Sequence, residues 1–239
     1  MDSATLQITR KELSSYYSNL GTIFRNAFFL VLFGALTIYQ LTRVVAQYGS
    51  TAQVITASLD VLLALAAIFP VNMAGGISVM AFPVERDQKT LEYLLSLPLS
   101  NRQIFLGKFL AAAIAGIAGM ALMYLVVFGF ITLNYHVSLA DVLSDEAVSI
   151  MALAICPTLV IMLILLTIIV SSHISARETY IVNIFSVFVL MGMNIAVATL
   201  NIDRLEFNAG LAVLLVPAVL ALYVIGTRTF NRESLIKNL

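Results

Sequence analysis

Long uncharged runs dominate the chain. Six of them separate its charged and histidine residues and contain, in order, 17, 24, 27, 26, 24 and 21 residues. A helix rises about 1.5 Å per residue and the hydrocarbon core of a bilayer is about 30 Å thick, so roughly 20 apolar residues make one crossing. Arg25 can snorkel to the interface and lengthen the first, shortest run. The pattern therefore predicts six transmembrane helices at about 24–42, 60–82, 104–133, 147–171, 179–201 and 208–227.

The polarity within these runs excludes other fold classes. Transmembrane strands need segments of about ten residues with alternating polarity, whereas residues 63–69 read Leu-Ala-Leu-Ala-Ala-Ile-Phe. A soluble helical protein needs a charged face on each helix, and the runs carry none. We predict an all-α, polytopic membrane protein that forms a single domain over residues 1–239.

Composition supports this class. The chain is 61% hydrophobic and 11% charged, against roughly one-quarter charged in soluble domains. Its formal net charge of zero gives no reason to expect a nucleic-acid partner. The single cysteine, Cys156, lies inside the fourth run, so no intramolecular disulfide forms and we interpret it as a small apolar packing residue.

Charged residues between the runs indicate the orientation. If the N-terminus is inside, Arg43 and Arg204 are outside and the other 11 of the 13 Lys and Arg residues are inside. The second outer loop then holds three acidic residues without a basic partner, Asp141, Asp145 and Glu146. Because basic loops stay on the cytoplasmic side, we expect a multi-pass protein of the cell membrane with both termini in the cytoplasm.

The segment before the first span, residues 1–22, has a helical period of its own. Its apolar positions are Leu6, Leu13, Tyr17 and Leu20. The helix begins near Ser3, or else Thr9 and Glu12 form a capping box at its start. We predict an amphipathic helix that lies in the membrane interface and is not a cleaved signal peptide.

Two features concern the spans themselves. Residues 44–59 are uncharged but only mildly apolar, so we assign them to the first outer loop and the start of span two. Pro70 breaks span two, and such a break inside a membrane needs neighbouring protein, so this span faces the bundle interior. Span three has small residues four apart, which allow close packing within the chain or against a second copy: Ala112 with Gly116, and Ala115 with Gly119.

The loop between spans two and three contains a separate short helix, at 90–97 within the segment 85–97. Asp87 or Thr90 can cap it, and Pro98 ends it. Its apolar face is formed by Leu91, Leu94 and Leu95. Eight residues do not make a stable helix alone, so this one docks either on the lipid interface or on a cytosolic partner.

Span three restarts sharply after this loop. Ser100 and Gln103 have the spacing of a capping box, and Leu99 with Ile104 has that of a hydrophobic staple. The short helix and span three are therefore predicted to be two helices that meet at an angle.

The segment from Glu85 to Lys108 resembles the loop between spans two and three of ABC-2 type permeases, the membrane subunits of ATP-binding-cassette exporters. The matching positions are Glu85, Thr90, Leu91, Glu92, Leu94, Leu95, Pro98, Ser100, Arg102, Ile104, Leu106, Gly107 and Lys108. The sequence departs from the pattern at Lys89, where the family often has Gly. The opening Arg10-Lys11-Glu12-Leu13 is similar to the leader helix of the family, and the six-span layout matches too.

This resemblance implies that the transport pathway and ATP hydrolysis belong to different subunits. Two permease subunits, identical or different, would surround a transport pathway in the bilayer, and two cytosolic ATPase subunits would dock beneath them. The segment 85–97 would be the coupling helix seated on the ATPase. The chain has no Gly-x-x-x-x-Gly-Lys-Ser/Thr phosphate loop, so it is expected to bind no cofactor itself, with ATP and Mg²⁺ held by the partner. It is expected not to be an enzyme.

The resemblance also implies roles for single residues. Leu91, Leu94 and Leu95 would make the apolar contact, either with the ATPase cleft or with the leader helix. Three charged residues would make polar contacts with the ATPase rim, namely Glu85, Arg86 and Glu92. Thr90 would begin the coupling helix, and Pro98 and Ser100 would fix its angle to span three.

Two other function classes compete with this one. An ion-coupled secondary transporter or a channel usually carries intramembrane carboxylates or broken-helix ion sites, and only span two, with Pro70 and Asn72, is a candidate. A membrane-embedded enzyme needs converging polar groups, but His136 and His173 are predicted on opposite sides of the membrane. Neither pattern fits the sequence as well as the permease does.

Overall fold

The structure, a computed structural model, describes residues 3–80, 82, 85, 98–171 and 203–229. Its regular structure is helical in these residues. The helices are α1 (Ser3–Ser18), α2 (Leu20–Tyr48), α3 (Ala52–Ala66), α4 (Ile68–Met80), α5 (Asn101–Tyr135), α6 (Leu139–Ser144), α7 (Glu146–Ile150), α8 (Cys156–Ser171) and α9 (Arg204–Thr229), with a π-helical turn, Met151–Ile155, between α7 and α8.

Within the described residues, five helical stretches are long and apolar enough to cross a membrane. They are Leu20–Tyr48, Ala52–Val79, Asn101–Tyr135, Glu146–Ser171 and Arg204–Arg228. They correspond to predicted spans one, two, three, four and six, so the all-helical, membrane-spanning class is confirmed. The predicted fifth span, 179–201, lies outside the described residues, and the count of six stays a prediction.

The connection between spans one and two is much shorter than predicted. Residues 44–59 were assigned to the outer loop and the start of span two, but α2 continues to Tyr48 and α3 already begins at Ala52. Gly49 turns the chain at φ 98°, a left-handed conformation that suits glycine, and the Thr51 side chain caps α3 by accepting from the Val54 N–H. A mixture of apolar and uncharged polar residues extends both helices beyond the predicted spans, so the helix ends are marked by the caps and not by hydropathy.

Proline residues account for the breaks within spans two and four. Pro70 lacks an N–H, and in a continuous helix its ring would clash with the carbonyl of residue 66. The break is found at this point, since α3 ends at Ala66 and α4 begins at Ile68. Pro157 follows the π-helical turn in the same way, and Tyr124 donates a hydrogen bond of 2.7 Å to the Ala152 carbonyl inside that turn. Span two is largely buried by its neighbours, as predicted from its Pro70 break.

The centre of the bundle is α5, which packs against α1, α4 and α8. Its predicted small-residue positions lie at those contacts. A Cβ added at Gly116 would be 2.9 Å from Val160 and 3.1 Å from Ala74, and one at Gly119 would be 2.9 Å from Met73 Sδ. The close packing of span three is therefore made within the chain, with spans two and four.

The outer faces of α2 and α9 are apolar and uncovered. Phe24 and Val31 on α2 are 72% and 70% exposed, and Val213 and Leu214 on α9 are 72% and 71% exposed. Exposed apolar area costs about 25 cal/mol per Å² in water, so such faces belong in lipid or against another membrane subunit. This agrees with a membrane location for the chain.

The leader segment folds as helix α1, and two of its four predicted apolar positions, Leu13 and Tyr17, pack against the core. Leu6 is exposed, and the side of α1 that is buried carries Thr5, Ile8, Thr9 and Tyr16. Thr9 lies inside the helix, where its hydroxyl donates to the Thr5 carbonyl at 2.9 Å, so the helix begins near Ser3 and the Thr9 capping box is wrong. The interfacial position of α1 stays a prediction.

Candidate functional site

A buried lysine lies near the N-terminal end of α5, where α1 packs against that helix. Lys108 Nζ is 3.0 Å from Glu12 Oε1 and 3.0 Å from Glu85 Oε2, and its side chain is 1% exposed. Lys11 Nζ lies 3.2 Å from the other oxygen of Glu85. We call these four residues, Lys11, Glu12, Glu85 and Lys108, the Lys108 cluster, and the end of the bundle that contains them the Lys108 end.

The cluster joins three parts of the chain. Glu12 comes from α1, Lys108 from the second turn of α5, and Glu85 from the segment that follows α4. An ammonium group out of water is tolerated only with close charge partners, and here it has two carboxylates and the Phe82 ring, whose centroid is 5.1 Å away. Lys11 is 62% exposed, so its pair with Glu85 is screened and adds little. Lys108 is therefore the residue that holds the cluster together.

A glycine lets α1 approach the α5 backbone next to this cluster. A Cβ at Gly107 would lie 2.6 Å from Ile8 Cγ2 and 3.3 Å from the Thr5 carbonyl oxygen. The Thr9 hydroxyl also lies 3.2 Å from the Gly107 carbonyl oxygen and can donate to it. The adjacent pair Gly107 and Lys108 thus provides both the space and the charge that seat the leader helix.

Tyr16 fastens the other half of α1 to spans one and two. Its hydroxyl accepts from Arg25 Nη2 at 3.2 Å and donates toward the Met73 carbonyl, 3.1 Å away. A Cβ at Gly76 would lie 2.7 Å from that hydroxyl. Burial, and secondly the neighbouring Tyr16, raise the pKa of Tyr17 above its usual value.

The start of span three has the predicted capping box. The Gln103 N–H donates to Ser100 Oγ at 3.2 Å, and the Ser100 N–H donates to Gln103 Oε1 at 2.8 Å. Leu99 packs against the apolar core, which includes the fully buried Ile104. The beginning of α5 is therefore fixed two turns before Lys108.

The structure places part of the predicted coupling set. Glu85 lies in the Lys108 cluster with its side chain 12% exposed, so it contacts this chain rather than standing free in a loop. Pro98 is exposed beside the cap, and Ser100 is the cap itself. The remaining predicted residues lie outside the described part of the chain: Arg86, Thr90, Leu91, Glu92, Leu94 and Leu95. The predicted coupling helix, apart from Glu85, is likewise outside it.

Sequence reasoning missed Glu12 and Lys108 as partners. The signal for Lys108 was its place in a helix that starts at residue 101, followed by 27 uncharged residues. A lysine at such a site either snorkels or is paired inside the protein. No comparable signal identifies Glu12, which is 96 residues away along the chain.

A second charged group lies at the opposite end of the bundle. Arg204 Nη1 is 3.2 Å from Asp60 Oδ2, and Arg204 Nη2 is 3.3 Å from Asp145 Oδ2. The prediction that Asp145 has no basic partner is therefore wrong, because the start of span six returns to the second outer loop. We call this the Arg204 end. Among the residues that the structure describes, no group of three or more His, Cys, Asp or Glu is placed to hold a metal ion.

Comparison with known families agrees with this architecture. The sequence model for the family described as ABC-2 family transporter protein matches residues 6–210. The chain belongs to the ABC-2 transporter family. A comparison with curated proteins gave no match.

The ABC-2 match includes every part of the site. It begins within α1, before Glu12, and ends within α9, beyond Arg204. In this ABC-2 protein the leader helix is therefore part of the transporter domain, and the Lys108 cluster joins it to spans two and three. The protein is the membrane domain of an ABC transporter.

Proposed function

We propose that this protein is the permease subunit of an ABC exporter and that the Lys108 end receives the force of a separate ATPase. The observation that carries the proposal is the Lys108 cluster, which joins the start of the predicted coupling segment, at Glu85, to both α1 and α5. Neither a channel nor a secondary transporter needs such a junction at the base of its spans. The family match supports a transporter, and the ATPase partner and outward direction are our inference.

The charges support a cytoplasmic position for the Lys108 end. The basic residues of the described chain at that end are Arg10, Lys11, Arg25, Arg102, Lys108 and Arg228, whereas Arg43 and Arg204 are the basic residues described at the other end. Because the positive-inside rule orients such proteins, the cluster faces the compartment that contains ATP. Both termini are then cytoplasmic, in the cell membrane.

The proposed mechanism transmits a displacement through rigid parts. Closure of two ATPase subunits would move the segment 85–97, with Leu91, Leu94 and Leu95 in apolar contact and with Arg86 and Glu92 in polar contact. Glu85 would pull Lys108, which belongs to an α5 helix of 35 residues that continues to the Arg204 end. The coupling helix and α5 would meet at a fixed angle. Ser100 would fix it from the α5 side by capping that helix, and Thr90 and Pro98 would fix it from the side of the coupling helix.

The partners follow from the same proposal. The bilayer covers the exposed apolar faces, a second permease copy or a related chain completes the pathway, and the ATPase subunits hold ATP and Mg²⁺. Because the span interiors carry few charges, a hydrophobic or amphipathic substrate suits them better than a highly charged one. Purification with the ATPase subunit, followed by ATPase assays with candidate lipids and amphiphiles, tests the assignment. A purified complex whose ATPase activity responds to none of them, with no export in vesicles, would contradict it.

A substitution in the coupling segment separates coupling from folding. We predict that Leu94→Asp abolishes ATP-dependent export while leaving membrane insertion intact, because a carboxylate cannot enter an apolar contact without a large desolvation cost. The measurement is substrate efflux from vesicles, with ATP hydrolysis recorded in parallel.

Lys89→Gln provides the control for this test. Like Leu94→Asp, it makes the net charge of the same loop more negative by one unit. It should export like the wild type. Unchanged efflux in Leu94→Asp, or equal losses in both variants, would exclude Leu94 as a coupling contact.

A further inference from the structure

Arg204 connects three helices at the end of the bundle farthest from the proposed ATPase site. It is the first residue of α9. Its guanidinium contacts Asp60 at 3.2 Å and the Thr56 carbonyl at 3.1 Å, both on α3, and Asp145 at 3.3 Å, at the start of α7. Spans two, four and six are thus held by one side chain.

The geometry needs an arginine. The two terminal nitrogens of its planar fork reach different helices, while a lysine offers a single point of charge. Asp145 uses its other oxygen, Oδ1, to cap α7 by accepting from the Val148 N–H at 3.2 Å. One turn further into the bundle, Asn208 donates to the Ala147 carbonyl at 3.1 Å, so the contact between α7 and α9 has a second polar tie.

Burial differs sharply between the two sides of this contact. Asp60 is 6% exposed and lies in the ninth position of α3, within the membrane-spanning stretch Ala52–Val79. A buried carboxylate is strongly disfavoured without its cation, so Arg204 cannot leave while Asp60 stays buried and charged. Arg204 is itself partly exposed and lines an open cleft of about 470 Å³, together with Asp145 and Asp203. Water therefore reaches one side of the contact and not the other.

We propose that Arg204, Asp60 and Asp145 form an outer latch, which keeps the Arg204 end of the pathway closed until transport opens it. This rests on the proposed function, since an exporter must separate the outer ends of its spans to release substrate. In the closed state the latch stabilises packed α3, α7 and α9. In the open state water enters between the helices and solvates Asp60, which replaces part of the lost ion pair.

Thiol labelling reports the state of the latch directly. Thr56→Cys places a cysteine at a position that is 8% exposed, beside Arg204, and the native Cys156 is fully buried. In native membrane vesicles, a membrane-impermeant maleimide applied from the outer side should label this cysteine slowly. Adding Arg204→Gln should raise the labelling rate at least about tenfold, because it removes the cation of a buried ion pair.

Matched variants keep the result interpretable. Arg43→Gln removes an exposed arginine at the same end and should leave the rate unchanged, and Gln53→Cys, at an exposed position, should label quickly in every background. Asp145→Asn keeps a capping side chain but removes one arm of the latch, so it should give a smaller increase. If Arg204→Gln disturbs folding, as judged by size-exclusion profile, Asp145→Asn decides alone.

Two outcomes would overturn the latch. One is an equal labelling rate in Arg204→Gln, Asp145→Asn and Arg43→Gln. The other is a Thr56→Cys protein, with the three latch residues unchanged, whose cysteine stays unlabelled when ATP and vanadate act on an exporting complex. If the latch variants label faster but no ATPase subunit accompanies the protein, the latch stands and the proposed ATP-driven function falls.

Discussion

At the scale of single residues, Lys108 is the most constrained charge in the described chain. It is enclosed by Glu12, Glu85 and the Phe82 ring, and a protein that used lysine only to mark a membrane boundary would leave it in water. Burial has a free-energy cost that the two carboxylates offset. The position therefore serves a junction between segments, not solubility.

Replacing Lys108 should destabilise the protein through the charges left behind. Lys108→Met removes the ammonium and leaves two partly buried carboxylates facing each other, which costs on the order of 3 kcal/mol. We expect a clear drop in apparent melting temperature in detergent. Arg102→Gln, which removes an exposed charge in the first turn of α5, is the control and should melt like the wild type.

The triple variant Lys108→Met, Glu12→Gln, Glu85→Gln sharpens this test. Because the two glutamines are uncharged, the repulsion between the unpaired carboxylates disappears, so the triple variant should recover much of the stability but not the coupling. A single Lys108→Met protein as stable as the wild type would contradict the assigned burial and pairing.

At the scale of elements, the sequence predicted which segments are helical better than where they end. Run lengths identified the spans because hydrocarbon thickness sets them. The start of α5 was also predictable, since Ser100 and Gln103 are a local signal. The end of α2 at Tyr48 was not, because Gln and Tyr continue a helix as well as they end one, and Gly49 decides the turn by its backbone conformation.

The seating of α1 on α5 was not predictable from helical periodicity. Leu6 suggested one apolar side, whereas the helix buries Thr5, Ile8 and Thr9 against the α5 backbone at Gly107. The absence of a side chain at Gly107 allows this close contact, and the Thr9 hydroxyl lies within 3.2 Å of the Gly107 carbonyl oxygen. Amphipathicity predicts that one side of a helix is buried, but it does not identify the surface against which that side packs.

Enlarging Gly107 should release the leader helix. Gly107→Val would force atoms into Ile8 at 2.6 Å and toward the Thr5 carbonyl, and overpacking of this kind costs about 1–3 kcal/mol. We expect trypsin to cut after Arg10 and Lys11 roughly tenfold faster than in the wild type. Limited proteolysis followed by mass spectrometry measures this.

Gly129 provides a matched control for that substitution. It lies on the same helix, α5, and a Cβ there meets nothing within 4 Å. Gly129→Val should leave the cleavage of α1 unchanged. Equal cleavage in the two valine variants would contradict a close contact between α1 and Gly107.

At the scale of the whole molecule, ion pairs connect different elements at the two ends of the bundle. The Lys108 end joins α1, α5 and the segment after α4 through residues up to 96 positions apart. The Arg204 end joins spans two, four and six. Run lengths and loop charges could not predict either group, because ion pairs between distant segments depend on how the helices pack. The all-helical membrane class needed only local patterns, whereas the orientation and the position of the coupling helix stay predictions.

The central claim is that a separate ATPase docks at the Lys108 end, and site-specific photo-crosslinking tests it most directly. A benzophenone amino acid placed at Leu94, in the predicted coupling segment, should give an ATP-sensitive adduct with an ATPase subunit in native membranes. The same group at Leu139, which is 46% exposed at the Arg204 end, should give none. Absence of any ATPase adduct from position 94, or equal adducts from both positions, would contradict the account.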